Sequence, residues 1–206
     1  MGLAIFKKSY KHERKNLIMG SRAPITSILD KDESRLFFDV IFGLFEFVSR
    51  KYNIATELWK DNPGKGYDVN KLKQIANEVW SHTDLIDEYI ASAKLPCPQR
   101  EIATGFKSCC HGKYFIERHL KQGSVFISPA DNNVYMVRGL VSTFDEMFDD
   151  IRLPVLVDAV LLPFCGKIVT DGLMNVYPVI IGKNITSELK NMYMTAKQSR
   201  SIRYSL

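Results

Sequence analysis

The sequence predicts an α+β protein in which a helical N-terminal half packs on a C-terminal small antiparallel β-barrel or curled sheet with a terminal helix. Apolar residues recur at helical spacing before Gly123, and the period becomes strand-like after it. The run LPVLVDAVLLPFCGKIVTDGLMNVYPVII, residues 153–181, places two β-rich runs around Asp171-Gly172, a dipeptide typical of hairpin turns. These two observations define the fold class.

Three helices are expected in the first half. Residues 32–52 place apolar side chains from Leu36 to Val48 at intervals of three and four, as an amphipathic helix requires. Asp68 is the expected cap of a second helix over residues 69–93. A third helix is expected over residues 99–121 and is ended by Gly123.

The second half is predicted to hold five short strands, over residues 124–128, 134–139, 155–162, 167–170 and 173–181. Ser142 or Thr143, with Asp145 or Glu146 three residues later, has the spacing of a capping box, which predicts one short helix between the second and third strands. A final helix is expected over residues 186–198. Alternation along residues 155–162 puts Asp158 on the same face as Leu156, so its carboxylate must face solvent or find a partner.

The length of 206 residues allows one full core. We expect a basic arm over residues 1–24, a helical region over 25–122 and a β-rich region over 123–206, together forming one unit. No apolar run reaches the roughly 18 residues of a membrane span and no signal peptide is evident, so a cytoplasmic protein without a membrane partner is expected.

The four cysteines have no paired spacing. They are interpreted as reduced thiols, with no metal site and no cofactor.

Three segments resemble a family of uncharacterised bacterial proteins, mainly of the Firmicutes type, that has no established activity. They are GKYFIERHL at residues 112–120, LLPFCGKIVTDGL at residues 161–173, and residues 185–197. With the aromatic helix over residues 37–52, the resemblance covers most of the chain and implies a single co-evolved unit, encoded near mobile or phage-defence genes. Family members often have a glycine run and an arginine pair before the last helix, where this chain has GKNITS, so an anion site built on those arginines would be weakened here.

The two ends are basic. Residues 1–24 hold six Lys or Arg against one Glu, and residues 183–206 hold five against one. Such ends suit an anionic partner, since lysine and arginine neutralise phosphates. We therefore expect a non-enzymatic binding or regulatory protein, with nucleic acid bound through the termini and the β-surface. The residues expected to bind nucleic acid or another anion are Lys7, Lys8, Lys11, Arg14, Lys15, Lys183, Asn184, Thr186 and Ser187.

Two other functions remain open. As a protein-binding module or an inhibitor, the chain would dock its partner on an acidic and aromatic patch made of Phe144, Asp145, Glu146, Asp149 and Asp150. A metal-dependent hydrolase of nucleic acid or nucleotides would use Asp158 and Asp171 as carboxylates and Lys167 as a charge stabiliser.

Overall fold

A computed structural model of the chain describes residues 27–59 and 67–206. The predicted basic arm, residues 1–24, lies outside the described residues. The helices come first, the sheet follows and a helix comes last, which confirms the α+β class. The helical part comprises α1 (Lys31–Tyr52), a 3-10 turn (Thr56–Trp59), α2 (Val69–Ser81), α3 (Leu85–Ala93), α4 (Cys97–Gly105) and a second 3-10 turn (Phe106–Ser108).

The β-rich part also contains two helices. Its elements are β1 (Cys110–Leu120), β2 (Gly123–Ile127), β3 (Val134–Val137), α5 (Phe144–Met147), β4 (Val155–Phe164), β5 (Lys167–Thr170), β6 (Asn175–Val176) and α6 (Lys183–Gln198). The predicted capping box at Thr143 and Glu146 is present at the start of α5. The last helix begins three residues earlier than expected.

The first predicted helix is confirmed, and its ends have clear local causes. Asp30 and Glu33 form a capping box, and Asn53 ends the helix in the left-handed conformation. The apolar positions from Phe37 to Val48 are buried against the other helices and the sheet. The second predicted helix is instead two, α2 and α3, separated at residues 82–84.

The predicted helix over residues 99–121 is right up to Gly105, where α4 ends, and wrong beyond it. A 3-10 turn follows, in which Phe106 packs edge-on against Phe37 and Trp80. From Cys110 onward the chain is the long strand β1, with Tyr114 and Ile116 buried in the interior of the sheet. The helical spacing of apolar residues was real, but pairing with β4 over seven residues decided the conformation.

Strand β1 curls the sheet because it pairs with two different strands. Residues 110–116 pair with β4, and residues 115–120 pair with β2, with a register shift between Ile116 and Arg118. The strand order is β1-β2-β3-β5-β4-β6, and all pairings are antiparallel except β3 with β5. That parallel pairing is a single residue pair, Val137 with Ile168, so the sheet is curled and mixed rather than a closed antiparallel barrel.

The segment after α6 fills the gap beside β3. The Arg203 N–H donates to the Val134 carbonyl, and the Met136 N–H donates to the Arg203 carbonyl, both at 2.8 Å. The Arg203 guanidinium lies 5.7 Å from the centre of the Tyr135 ring. These two hydrogen bonds pair backbone groups on the edge of β3 that do not pair with β5.

The hairpin predicted at Asp171-Gly172 is also wrong. The actual tight hairpin joins β4 to β5 through Cys165 and Gly166, which have φ values of 47° and 70°. Two successive positive φ values are those of a type I′ turn, which matches the twist of the strands. β5 and β6 do not pair with each other; both pair with β4, at different points along it.

Side chains on the two sides of the curled sheet meet different layers. The inner side forms its own cluster, which α5 closes with Phe144 and Phe148. On the outer side, Val160, Leu162 and Phe164 of β4 belong to the cluster of the N-terminal helices. The outer residues of β2 and β3 pack instead against α6; they are Val125, Ile127, Val134 and Met136.

Gly123 is expected to be intolerant of a side chain. It has φ of 142°, and an added Cβ would lie 2.5 Å from the Val137 carbonyl oxygen. We expect Gly123→Ala to lower the free energy of unfolding by about 3 kcal/mol, from backbone strain plus a clash with β3, measured by urea denaturation. Gly166→Ala is the control: its φ is 70° but its added Cβ meets nothing within 4 Å, so a loss of only about 1 kcal/mol is expected. Equal losses in the two variants would contradict the clash.

Candidate functional site

One stretch of the outer sheet face carries polar side chains that neither helical layer buries. It lies on the first half of β1, the neighbouring part of β4 and the residue after β6. We call it the polar strip; its members are His111, Lys113, Asp158 and Tyr177. His111 and Lys113 are exposed, while Asp158 and Tyr177 are half-buried. Asp158 therefore faces outward, on the same face as Leu156, as the alternation predicted.

The polar strip is held together by two side-chain contacts. The His111 Nε2 lies 3.2 Å from the Asp158 Oδ1. The Lys113 ammonium lies 5.2 Å from the centre of the Tyr177 ring, a cation–π distance. Lys113 is also the register partner of Asp158 across β1 and β4. Tyr177 is held in place because its N–H donates to the Leu156 carbonyl at 2.9 Å.

Asp171 lies behind this surface and is fully buried. Its Oδ2 accepts a hydrogen bond from the Trp80 indole N–H at 2.8 Å, and its Oδ1 accepts one from the Leu173 N–H at 2.9 Å. Burial raises the pKa of the Asp171 carboxyl above its ordinary value, and the charge of Lys73, these two hydrogen bonds and the charge of His111 oppose that rise. The Lys73 ammonium is anchored nearby, donating to the Leu173 carbonyl at 2.7 Å.

The three residues predicted for hydrolysis are only partly brought together. His111 contacts Asp158 and interacts electrostatically with Asp171, so it connects the two carboxylates. Lys167 lies at the other end of β4 and forms an ion pair with Glu33 of α1. Lys73 provides the cation near Asp171 instead. Sequence reasoning missed Lys73, His111 and Trp80 as members of this region, because no local pattern links α2 to residues about 90 positions later.

The region has no assembled metal site among the described residues. Within 27–59 and 67–206, no three His, Cys, Asp or Glu side chains are arranged to hold an ion. Cys109 packs towards the helical cluster and Cys110 towards the sheet interior, on opposite sides of the backbone. Burial raises the pKa of both thiols, which disfavours the thiolate that a nucleophile or a ligand needs.

The predicted acidic and aromatic docking patch is divided between the core and the surface. Phe144 lies in the sheet interior, stacked near Phe148, because α5 closes the open end of the curled sheet. Asp145, Glu146, Asp149 and Asp150 are exposed. The Glu146 carboxylate accepts a hydrogen bond from the Thr143 N–H at 2.9 Å, as part of the capping box. The aromatic part of that patch is thus not available on the surface.

The predicted anion-binding residues at the last helix lie in its first turns. Gly182 is the N-cap, and no side chain caps the free N–H groups. The Thr186 hydroxyl donates to the Gly182 carbonyl at 3.1 Å, so it already has a partner. Lys183, Asn184 and Ser187 are exposed.

A row of lysines continues along α6 from this point. Lys183, Lys190 and Lys197 are all exposed and are seven residues apart. Seven residues are close to two helical turns, so the three side chains lie on one flank of the helix, over about 21 Å. We call this the lysine stripe. Sequence reasoning counted these charges but did not recognise their alignment, which follows from the helix bounds.

The remaining predicted nucleic-acid contacts lie outside the described residues. They are Lys7, Lys8, Lys11, Arg14 and Lys15.

Comparison with protein-family models, with curated proteins and with solved structures gives no match. None of the described helices combines the length and the apolar character that crossing a membrane needs.

Asp171 is expected to make stability depend on pH in a defined direction. Because its pKa is raised in the folded state, the folded protein binds more protons than the unfolded chain between pH about 4, near the ordinary carboxyl pKa, and the raised value. The free energy of unfolding should therefore fall as pH rises through that window. Urea denaturation from pH 4 to 7.5 should show this fall in the wild type relative to Asp171→Asn, which cannot ionise. A difference between the two proteins that stays flat, or grows with pH, would contradict the assignment.

Proposed function

We propose that the protein is a non-enzymatic nucleic-acid-binding protein that contacts phosphates through the lysine stripe of α6. The observation that carries the proposal is the alignment of three exposed lysines on one flank of a helix that is fixed to the sheet. Leu189, Tyr193 and Ala196 bury one side of α6 against β2 and β3. Helical geometry puts the three lysines about 90° around the helix axis from that side. The lysines are thus presented on a rigid support rather than on a loose segment.

The charge around the stripe favours an anionic partner. Within α6 the acidic residue is Glu188, which helical geometry puts on the flank away from the three lysines. Arg200 lies two residues beyond the end of the helix and is exposed. Adjacent stripe lysines are about 10.5 Å apart along the axis of α6, which is more than the rise of about 3.4 Å from one phosphate to the next along a duplex axis, so each can reach a different phosphate.

The surface of the sheet offers less area for nucleic-acid binding than the sequence suggested. The outer face of β2 and β3 is covered by α6 and cannot meet nucleic acid while that helix is in place. What remains is the polar strip, in which Lys113 and His111 can donate hydrogen bonds and Tyr177 has an aromatic ring. The polar strip is close in sequence to the lysine stripe, because Tyr177 precedes Lys183 by six residues.

We expect the triple variant Lys183→Gln, Lys190→Gln, Lys197→Gln to weaken nucleic-acid binding at least tenfold at low salt and to reduce the salt dependence by roughly one unit of slope per lost phosphate contact. Fluorescence anisotropy with labelled mixed-sequence oligonucleotides, over a range of salt concentrations, measures both quantities.

The matched control removes the same charge elsewhere on the described surface. Lys31, Arg35 and Lys94 are exposed and lie on the helical half. The triple variant Lys31→Gln, Arg35→Gln, Lys94→Gln should keep the wild-type affinity within about threefold, since only the net charge changes. Equal weakening in both triple variants would mean that net charge, not the stripe, attracts the oligonucleotide. A wild-type protein that binds no oligonucleotide at low salt would end the proposal.

A further inference from the structure

The segment between β6 and α6 exposes apolar side chains to an unusual degree. Ile180 is fully exposed, and Val179 is exposed by half. We call these two residues the apolar tip. A single exposed apolar residue is common on protein surfaces, but a fully exposed isoleucine next to a half-exposed valine leaves apolar area without a partner.

The tip has a defined shape. The Val179 N–H donates to the Tyr177 carbonyl at 2.8 Å, which closes a tight turn centred on Pro178. Proline fixes one of the two backbone angles at that centre. On the side of the sheet, Tyr177 is bonded to β4; on the other side, Gly182 begins α6. Both ends of the segment are therefore anchored, and the tip is presented with little entropy left to lose on binding.

The tip stands at the head of the lysine stripe. Ile180 and Lys183 are three positions apart in the chain, so their Cα atoms are within about 11 Å. A partner that lays its phosphates along the stripe therefore brings its next chemical groups to Val179 and Ile180. For nucleic acid those groups are bases.

The state of the bases distinguishes two kinds of nucleic acid. In a duplex the base faces are stacked and only their edges are reachable from the grooves. In a single strand the faces are open and can pack on apolar or aromatic side chains. The tip offers apolar surface and no hydrogen-bonding side chain, so it fits base faces and not base edges. Tyr177, at the base of the turn, adds an aromatic ring.

A lipid surface is the weaker match for the same features. Helices that lie on a membrane turn their apolar face towards the lipid. The apolar face of α6 is buried on the sheet, and its exposed sides are mainly polar, with Ile185 and Met194 as exceptions. Two residues at the tip offer little apolar area for insertion.

We infer that the nucleic acid bound by this protein is single-stranded, with phosphates along the lysine stripe and unstacked bases packed on the apolar tip. This inference rests on the proposed function. It predicts that a single strand binds at least fivefold more tightly than a duplex of the same length and sequence.

The test is anisotropy with a labelled 20-nucleotide strand and its 20-base-pair duplex, using the double variant Val179→Ser, Ile180→Ser. Both side chains are exposed, so the variant is expected to fold like the wild type, which circular dichroism and thermal unfolding check. The variant should bind the single strand at least fivefold more weakly, with the salt slope unchanged, because no phosphate contact is lost. The affinity of this variant for the duplex should stay within twofold of the wild-type affinity.

The control is Tyr52→Ser with Val141→Ser, two exposed apolar residues in other parts of the fold; it should leave both affinities within twofold. If the lysine variant weakens binding but the tip variant does not, or if the duplex binds as tightly as the single strand, the inference falls and the proposed function stands. If no oligonucleotide binds, both fall. Tip-dependent binding to vesicles containing phosphatidylserine, without such binding to the single strand, would assign the tip to lipid and overturn the inference.

Discussion

The double pairing of strand β1 is the constraint on which the rest of the fold depends. One half of this strand pairs with β4 and the other with β2, and the register shift after Ile116 lets the strand bend between them. The resulting curl separates an inner cluster from two outer faces. Each outer face then needs its own cover, and the N-terminal helices and α6 provide these two covers. A straight β1 would leave one of these layers without a surface to pack on.

Helices and sheet share one apolar cluster, and a buried polar contact fixes how they meet. Phe37 of α1 packs edge-on against Phe164 of β4, while Trp80 of α2 donates its indole N–H to Asp171. An apolar contact tolerates small shifts, but a buried carboxylate needs its donors at hydrogen-bonding distance. The Asp171 contact therefore specifies the position of α2 relative to the sheet more sharply than the phenylalanines do.

Helix α6 combines a structural and a proposed functional role because its two sides differ. One side seals the outer face of β2 and β3, and the segment after the helix fills the gap beside β3. An exposed flank presents the lysine stripe, with the apolar tip at its start. A surface used for binding is best placed on an element that packing already holds still, since less entropy is then lost when a partner arrives. The same packing removes most of the sheet surface from consideration as an interface.

The sequence by itself determined the class, the first helix with its ends, the two faces of β4 and the basic character of the last helix. All of these follow from residues within a few positions of one another, through helical or strand periodicity and capping. Tertiary structure alone decided that residues 110–116 belong to a strand, because their partners in β4 are 39 to 51 positions away. It also decided that Asp171 is buried instead of turning a hairpin, since its donor Trp80 is 91 positions distant, and that His111 meets Asp158. Local patterns contain no information about such distant partners. The sequence could therefore single out these residues, but it could not show which of them lie together.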